Sequence, residues 1–237
     1  MNDGGLSFNI YIPSYRRSDS INTHNLLEYC TYVVRETEAS KYVDAGVNVL
    51  SVDDTLIDSI PKVQNWIIEN TDEDVVCIAD DDIHSFVYRN DTNSKIADSE
   101  ISTSEIERIA QLVVDLDIGY MSVPNDMSPM YYDRPFKFCG ITGQLRIINK
   151  AKCVARFNDI DFLNDIDFEL QELLLNRIIL IPCYFLTDAD VDTNSGGSND
   201  SKTMTKYTLA NIEMKQKWGK YYIPSQNGKP GRISVKR

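Results

Sequence analysis

The sequence predicts an α/β fold, a single domain built on a mostly parallel central sheet with helices on its faces. Short apolar, β-branched runs recur along the chain, and helical patterns lie between the early ones. The 237 residues, 42% hydrophobic and 25% charged, suffice to bury one large core, which excludes a disordered chain.

Taken in order, strands are expected at 8–12, 47–52, 75–79, 118–123, 145–148 and 178–186, each bounded by polar, Gly or Pro punctuation. Helical spacing appears at 21–40, where Leu26, Leu27, Cys30, Val33 and Val34 share a side, and again at 60–70, 104–116 and 167–176. Ser18/Asp19, Asp58/Ser59 and Ser102/Ser104 signal helix starts. Strand alternating with helix at this spacing calls for right-handed crossovers and hence a parallel sheet. Residues 187–202 (TDADVDTNSGGSNDSK) are expected as the one long loop, either mobile or a flap. The expected organisation is a domain over 1–210, with halves at about 8–123 and 124–210, and a looser basic tail over 211–237.

No run of eighteen apolar residues occurs, and 173–186 is broken by Asn176, Arg177 and Pro182, so a soluble chain with no membrane partner is expected. The start of the chain has no secretory pattern, and five cysteines without a CxxC pair read as reduced thiols of the cytoplasm. A net charge of -12 speaks against a generic nucleic-acid coat protein. Two segments nonetheless run basic. One holds Arg134, Lys137, Arg146, Lys150, Lys152 and Arg156 against Asp133; the other holds Lys215, Lys217, Lys220, Lys229, Arg232, Lys236 and Arg237 against Glu213. Each is a solvated surface or an anion-binding face.

The strongest local signal is VVCIADDDI at 75–83, where Asp80, Asp81 and Asp82 follow a buried strand. In a parallel sheet the carboxyl ends of the strands form the ligand crevice. Three adjacent carboxylates repel one another, and a hard cation such as Mg²⁺ or Mn²⁺ relieves that cost; an acidic turn capping the next element is the plainer alternative. A second cluster, NDIDFLNDIDFEL at 158–170, leads into a helix. Asp165 and Asp167 there complement the helix dipole, and either could instead serve as a general base. His84 reads as an ordinary surface or packed residue.

IYIPSYRR at 10–17, Asp53-Asp54 after the second strand, Asn65 in a helix and then Asp80–Asp82 form an ordered set that resembles the nucleotide-sugar half of a GT-A glycosyltransferase. More narrowly, IPSYRR, TYVVRETEASKY at 31–42, DDDI and NDIDFELQ at 164–171 resemble the TET-associated glycosyltransferases of phage genomes, over about residues 8–217. The resemblance implies a metal-dependent, inverting transferase. It would move a sugar from a UDP-sugar or related donor to a hydroxyl, such as that of 5-hydroxymethylcytosine in DNA, in the cytoplasm of an infected cell. By position it implies that Pro13, Ser14, Tyr15 and Arg16 line the base and ribose pocket and that Asp53 meets the base. Asn65 and Asp81 would belong to the donor site, and Asp80 and Asp82 would hold sugar nucleotide and Mn²⁺ or Mg²⁺. Asp165 would be the base. Arg134, Lys137, Arg146, Lys150 and Lys152, interleaved with aromatics, would make the acceptor or DNA face. Gln64 stands where many such enzymes have arginine, with Lys202 or the tail as a substitute cation. Many GT-A enzymes place a late histidine on the metal, and none follows His84 here, so the resemblance implies that Asp188, Asp190, water or the diphosphate itself completes the shell.

A glycan or small-molecule acceptor fits the same residues. A sugar nucleotidyltransferase would share the acidic site but usually has a glycine-rich loop after the first strand, where PSYRR stands. A non-catalytic cation-binding or partner-binding module is the third class, although neither acidic run has EF-hand spacing.

Overall fold

The structure, a computed structural model, describes residues 5–89, 92–125, 134–140, 143–160, 162–189, 203–225 and 229–235. In chain order the strands are β1 (Phe8–Pro13), β2 (Thr31–Arg35), β3 (Val49–Val52), β4 (Val75–Ala79), β5 (Ile83–Arg89), β6 (Asn93–Lys95), β7 (Tyr120–Val123), β8 (Phe136–Lys137), β9 (Leu145–Asn149), β10 (Ile181–Pro182), β11 (Phe185–Ala189), β12 (Tyr222–Ile223) and β13 (Arg232–Ile233). The helices are α1 (Ala39–Asp44), α2 (Ile60–Asn70), α3 (Ser99–Asp115), α4 (Asn164–Leu175) and α5 (Met204–Trp218).

Among the described residues the central sheet runs β3-β2-β1-β4-β9-β7. The first four strands are parallel, and β9 enters antiparallel between β4 and β7. Both faces of β4 are buried because its side chains alternate. Val75, Cys77 and Ala79 join the core under α3, while Val76 and Ile78 join the core under α2 and α4. A smaller sheet, β11-β5-β6, continues directly from the acidic triplet. A third core cluster packs Leu163, Ile166 and Leu170 of the α4 region against Ala210, Met214 and Tyr222.

Three expectations need correction. The segment 21–40 is not one helix: it holds a short 3-10 turn (Thr23–Leu26), β2, a second 3-10 turn (Glu36–Glu38) and the start of α1. Its apolar residues fit a helical spacing, but TYVV is β-branched and aromatic, and in the sheet Tyr32 and Val34 face one core while Val33 faces the other. The run at 178–186 divides at Cys183 into β10 and β11, which belong to different sheets. The loop expected at 187–202 starts later, since Thr187–Ala189 complete β11; its remainder, with Asp190 and Lys202, lies outside the described residues.

The boundary expected at 210/211 falls inside α5. Residues after it are fastened to α4: Lys217 and Trp218 both donate to Asp167. No helix among the described residues is long and apolar enough to cross a membrane. All five cysteines are free thiols.

Candidate active site

The carboxyl ends of β1 to β4 lie side by side, and Pro13–Arg16, Asp53 and Asp80–Asp82 stand at the ends of β1, β3 and β4. Asp80, Asp81 and Asp82 follow Ala79 and are held through their backbone. Asp80 N–H donates to the Gln144 carbonyl at 2.9 Å, and Thr23 Oγ1 donates to the Asp80 carbonyl at 2.7 Å. Asn22 Nδ2 donates to the Ile83 carbonyl at 2.6 Å. Gly143, just before Gln144, permits this approach: a Cβ there would stand 2.2 Å from the Val123 carbonyl oxygen.

In the turn between β4 and β5 the three side chains take two cations between them. Asp80 turns to Arg146 of β9, whose Nη1 lies 3.1 Å from Asp80 Oδ1. Asp81, which is buried, takes a short hydrogen bond from Ser14 Oγ and an ion pair from Arg17 Nη1 at 2.7 Å. The same Arg17 nitrogen reaches Asp82 at 3.1 Å. Ser14 also shares a 2.8 Å hydrogen bond with the Tyr42 hydroxyl.

Burial pushes the Asp80 carboxyl up to about 6 against the pull of Arg146, with Asp82 adding to the rise, although 37% of its side chain still meets solvent. Burial also raises Asp81, opposed by Arg17. Arg146 is buried, which works against its charge, yet Asp80, then Tyr120 and Asp165, hold its proton above the ordinary range. Asp165, in the first turn of α4, therefore shares the field of the guanidinium that binds Asp80.

Asp53 closes a turn at the end of β3, accepting from Thr55 N–H at 2.8 Å and Thr55 Oγ1 at 2.6 Å, and these bonds hold its carboxyl below the usual range. Tyr15 lies under the guanidinium of Arg35 at 4.0 Å and that of Arg16 at 4.8 Å. Arg16 takes a positive φ of 57° just after Pro13-Ser14-Tyr15, turning the loop over the strand end. Asn65 is placed differently from expectation, since both of its amide atoms bond the backbone of Phe157, at 2.8 and 2.9 Å. Gln64 accepts from Asn164 at 3.2 Å, tying α2 to the residue before Asp165.

The basic residues expected to form one acceptor face do not gather. Arg146 is turned inward onto Asp80. Lys150 donates to the Thr71 carbonyl, and its own N–H bonds the Asp74 carbonyl, at the end of β4 opposite the carboxylates. Lys152 pairs with Asp117 at 2.8 Å in the same region. Arg134 is exposed and Lys137 lies in the β8–β10 ribbon. The separation follows from β9 itself: a strand carries residues four positions apart to opposite ends of a short sheet. Asp188 is likewise committed, to Lys95 at 3.0 Å and Ser85 at 3.2 Å. Sequence reasoning missed Arg17 and Arg146 as partners of the carboxylates; for Arg146 the signal was a lone cation in the apolar run Leu145–Asn149.

Among the described residues no three His, Cys, Asp or Glu side chains converge as a cage for a cation. Asp80 and Asp82 offer hard carboxylate oxygens, each sharing one with a guanidinium. This donor set fits Mg²⁺ or Mn²⁺ whose other positions are filled by phosphate oxygens and water. An open cavity of about 430 Å³ against α3, lined by Tyr88, Glu105 and Arg108 among others, contains none of these residues.

The mixed α/β fold on a mostly parallel central sheet matches that of GT-A glycosyltransferase structures. No family model matches the chain, and no curated protein is similar to it in sequence. Among solved structures, it is similar to the mannosyltransferase PcManGT from Pyrobaculum calidifontis in complex with GDP-Man and Mn²⁺, at a TM-score of 0.57 and 12% identity. That match covers 88% of this chain and 65% of the other, so the chain spans about two thirds of that protein's length. It is similar also to glucosyl-3-phosphoglycerate synthase from Mycobacterium tuberculosis in complex with Mn²⁺, UDP-glucose and glycerol 3-phosphate, at a TM-score of 0.52 and 9% identity, over 90% of this chain and 80% of that one.

Proposed function

We propose that the chain is a glycosyltransferase that moves a sugar from a nucleoside-diphosphate donor to a hydroxyl with the help of Mn²⁺ or Mg²⁺. One observation carries the reading: Asp80 and Asp82 follow β4 at the crevice of a GT-A sheet, and Asp80 is paired with the buried Arg146, on whose guanidinium the charge of Asp165 also acts. The GDP-Man, UDP-glucose and Mn²⁺ in the titles of the similar structures support it.

In this reading the loop Pro13–Arg17 and Asp53 border the nucleoside, and Asp80 and Asp82 would hold Mn²⁺ or Mg²⁺, which when bound would supply positive charge to offset that of the departing diphosphate. Asp81 is the structural member of the triplet, locked by Ser14 and Arg17. Asp165 accepts the proton of the acceptor hydroxyl as that oxygen bonds to the anomeric carbon. The bond from that carbon to the diphosphate breaks, its electron pair leaves with the diphosphate, and the configuration inverts. Asn164, bonded to Gln64, fixes the turn that carries Asp165. UDP as the nucleotide and a hydroxymethylated pyrimidine in DNA as the acceptor rest on the family resemblance.

The test is calorimetric binding of UDP and GDP with Mn²⁺, followed by transfer from a panel of nucleotide sugars to hydroxymethylated DNA, unmodified DNA, glycans and phosphorylated small molecules, read by mass spectrometry. Metal-dependent nucleotide binding with transfer to any of these supports the reading. Failure to bind any nucleoside diphosphate overturns it.

A further inference from the structure

Arg146 stands where an apolar residue would serve the sheet. Its neighbours on β9, Leu145, Ile147 and Ile148, are fully buried, and its cross-strand partners are Ile78 of β4 and Ser122 of β7. Only 9% of its side chain is exposed. A guanidinium offers five N–H donors, and here one nitrogen is bonded to Asp80 while Nε is buried without a partner among the described residues. A buried donor of this kind calls for an acceptor that arrives with a ligand. Its surroundings say which part of the ligand that is. Arg146 bonds Asp80, the carboxylate assigned to the cation, and the charge of Asp165, the residue assigned to the acceptor proton, acts on the same guanidinium. The transferred sugar occupies the space between those two roles.

We infer that Arg146 recognises the transferred sugar, donating through its unpaired face to a sugar oxygen, and so sets donor specificity beyond the nucleotide. The inference rests on the donor reading above. It separates two parts of one ligand: the nucleotide is held by the β1 loop, Asp53 and the cation, and the sugar by Arg146.

Titrations in Mn²⁺ with UDP against UDP-glucose, and GDP against GDP-mannose, measure what the sugar adds to affinity. Wild type should bind the sugar nucleotide of at least one pair more tightly than the bare nucleotide. Arg146→Lys keeps a charge beside Asp80 but lacks the planar fork, and should lose about tenfold or more of the sugar's increment, read as the ratio of sugar-nucleotide to nucleotide affinity within the variant, as expected for a hydrogen bond to a charged group. In wild type, the ¹⁵Nε–H resonance of Arg146 should shift with the sugar nucleotide and not with the nucleotide alone. This readout needs no variant to fold. A resonance indifferent to the sugar, or an increment intact in a folded Arg146→Lys protein, overturns the inference and leaves the donor reading standing. Absence of binding by all four ligands overturns the donor reading and the inference with it.

Discussion

Trp218 donates its indole N–H to Asp167 at 2.7 Å, and the carboxylate that receives it has no exposed surface. Asp167 also accepts from Lys217, Asn158 and Gln171, so one buried charge joins α5 to α4 and to the loop before it. A hydrogen bond to a charged group contributes about 1.5–3 kcal/mol, and Trp218→Phe should lower stability to urea by that amount. Lys217→Met should cost less, because the Lys217 end of the pair is 38% exposed. Equal stability of wild type and Trp218→Phe would show that the indole contact is not a fastening.

Asp82→Asn should abolish the melting-temperature rise that Mn²⁺ and nucleotide together produce, while leaving the melting temperature of the free protein near that of wild type. Arg17 keeps Asp81 as its main partner in this variant, so no buried cation is stranded. A full thermal response to Mn²⁺ and UDP in Asp82→Asn would remove that residue from the cation site.

Asp165→Asn should lower kcat by about 10²–10⁴-fold with donor affinity unchanged, the signature of a group that acts on the proton in transit. Proton NMR of the product gives the second reading. A product that retains the donor's anomeric configuration is incompatible with Asp165 as the base of a single displacement.

The pH dependence of stability has a definite sign at Asp80. Its carboxyl titrates near 3.8 when exposed and near 6 in the folded chain, so between these values the folded state keeps a proton that the unfolded state has released. Stability contributed by this group therefore falls as pH rises through the window. Asp80→Asn should gain on wild type in chemical denaturation between pH 4 and pH 7, and the partial exposure of the side chain keeps that gain small. A gain that shrinks over the same range would contradict burial as the cause.

Gly143→Ala should destabilise the protein by about 1–3 kcal/mol, since its Cβ would meet backbone rather than a movable side chain. Because Gln144 holds the Asp80 backbone, the same variant should weaken nucleotide binding in Mn²⁺, which calorimetry would detect.

Much of the frame was legible in the sequence. Residues 60–70 form α2 as expected, and 75–79 form β4 with the acidic triplet at its carboxyl end. Local patterning carried those assignments, because both elements bury whole faces. The strand hidden in 21–40 was not legible, since Val33 and Val34 satisfy a helical and an alternating pattern equally until the sheet assigns them to opposite cores. The partners of the carboxylates were harder still. Arg146 and Lys150 look like one basic stripe in the sequence, yet the direction of β9 takes one to Asp80 and the other to Thr71. Only the pairing register, which brings Ile78 opposite Arg146, reveals that.

The two guanidiniums on the acidic triplet come from far along the chain, Arg17 from 64 residues before Asp81 and Arg146 from 66 residues after Asp80. Asp80, Asp81 and Asp82 therefore repel one another without relief until β1 and β9 have both docked on β4. Such long loops close slowly, so the mutual repulsion opposes the assembly of the sheet during the time it takes to form. Screening by salt acts on the open chain more than on the buried pairs of the finished one. Refolding of this protein should accordingly accelerate with ionic strength while its unfolding rate barely responds, making the acidic triplet a kinetic barrier that the native ion pairs conceal.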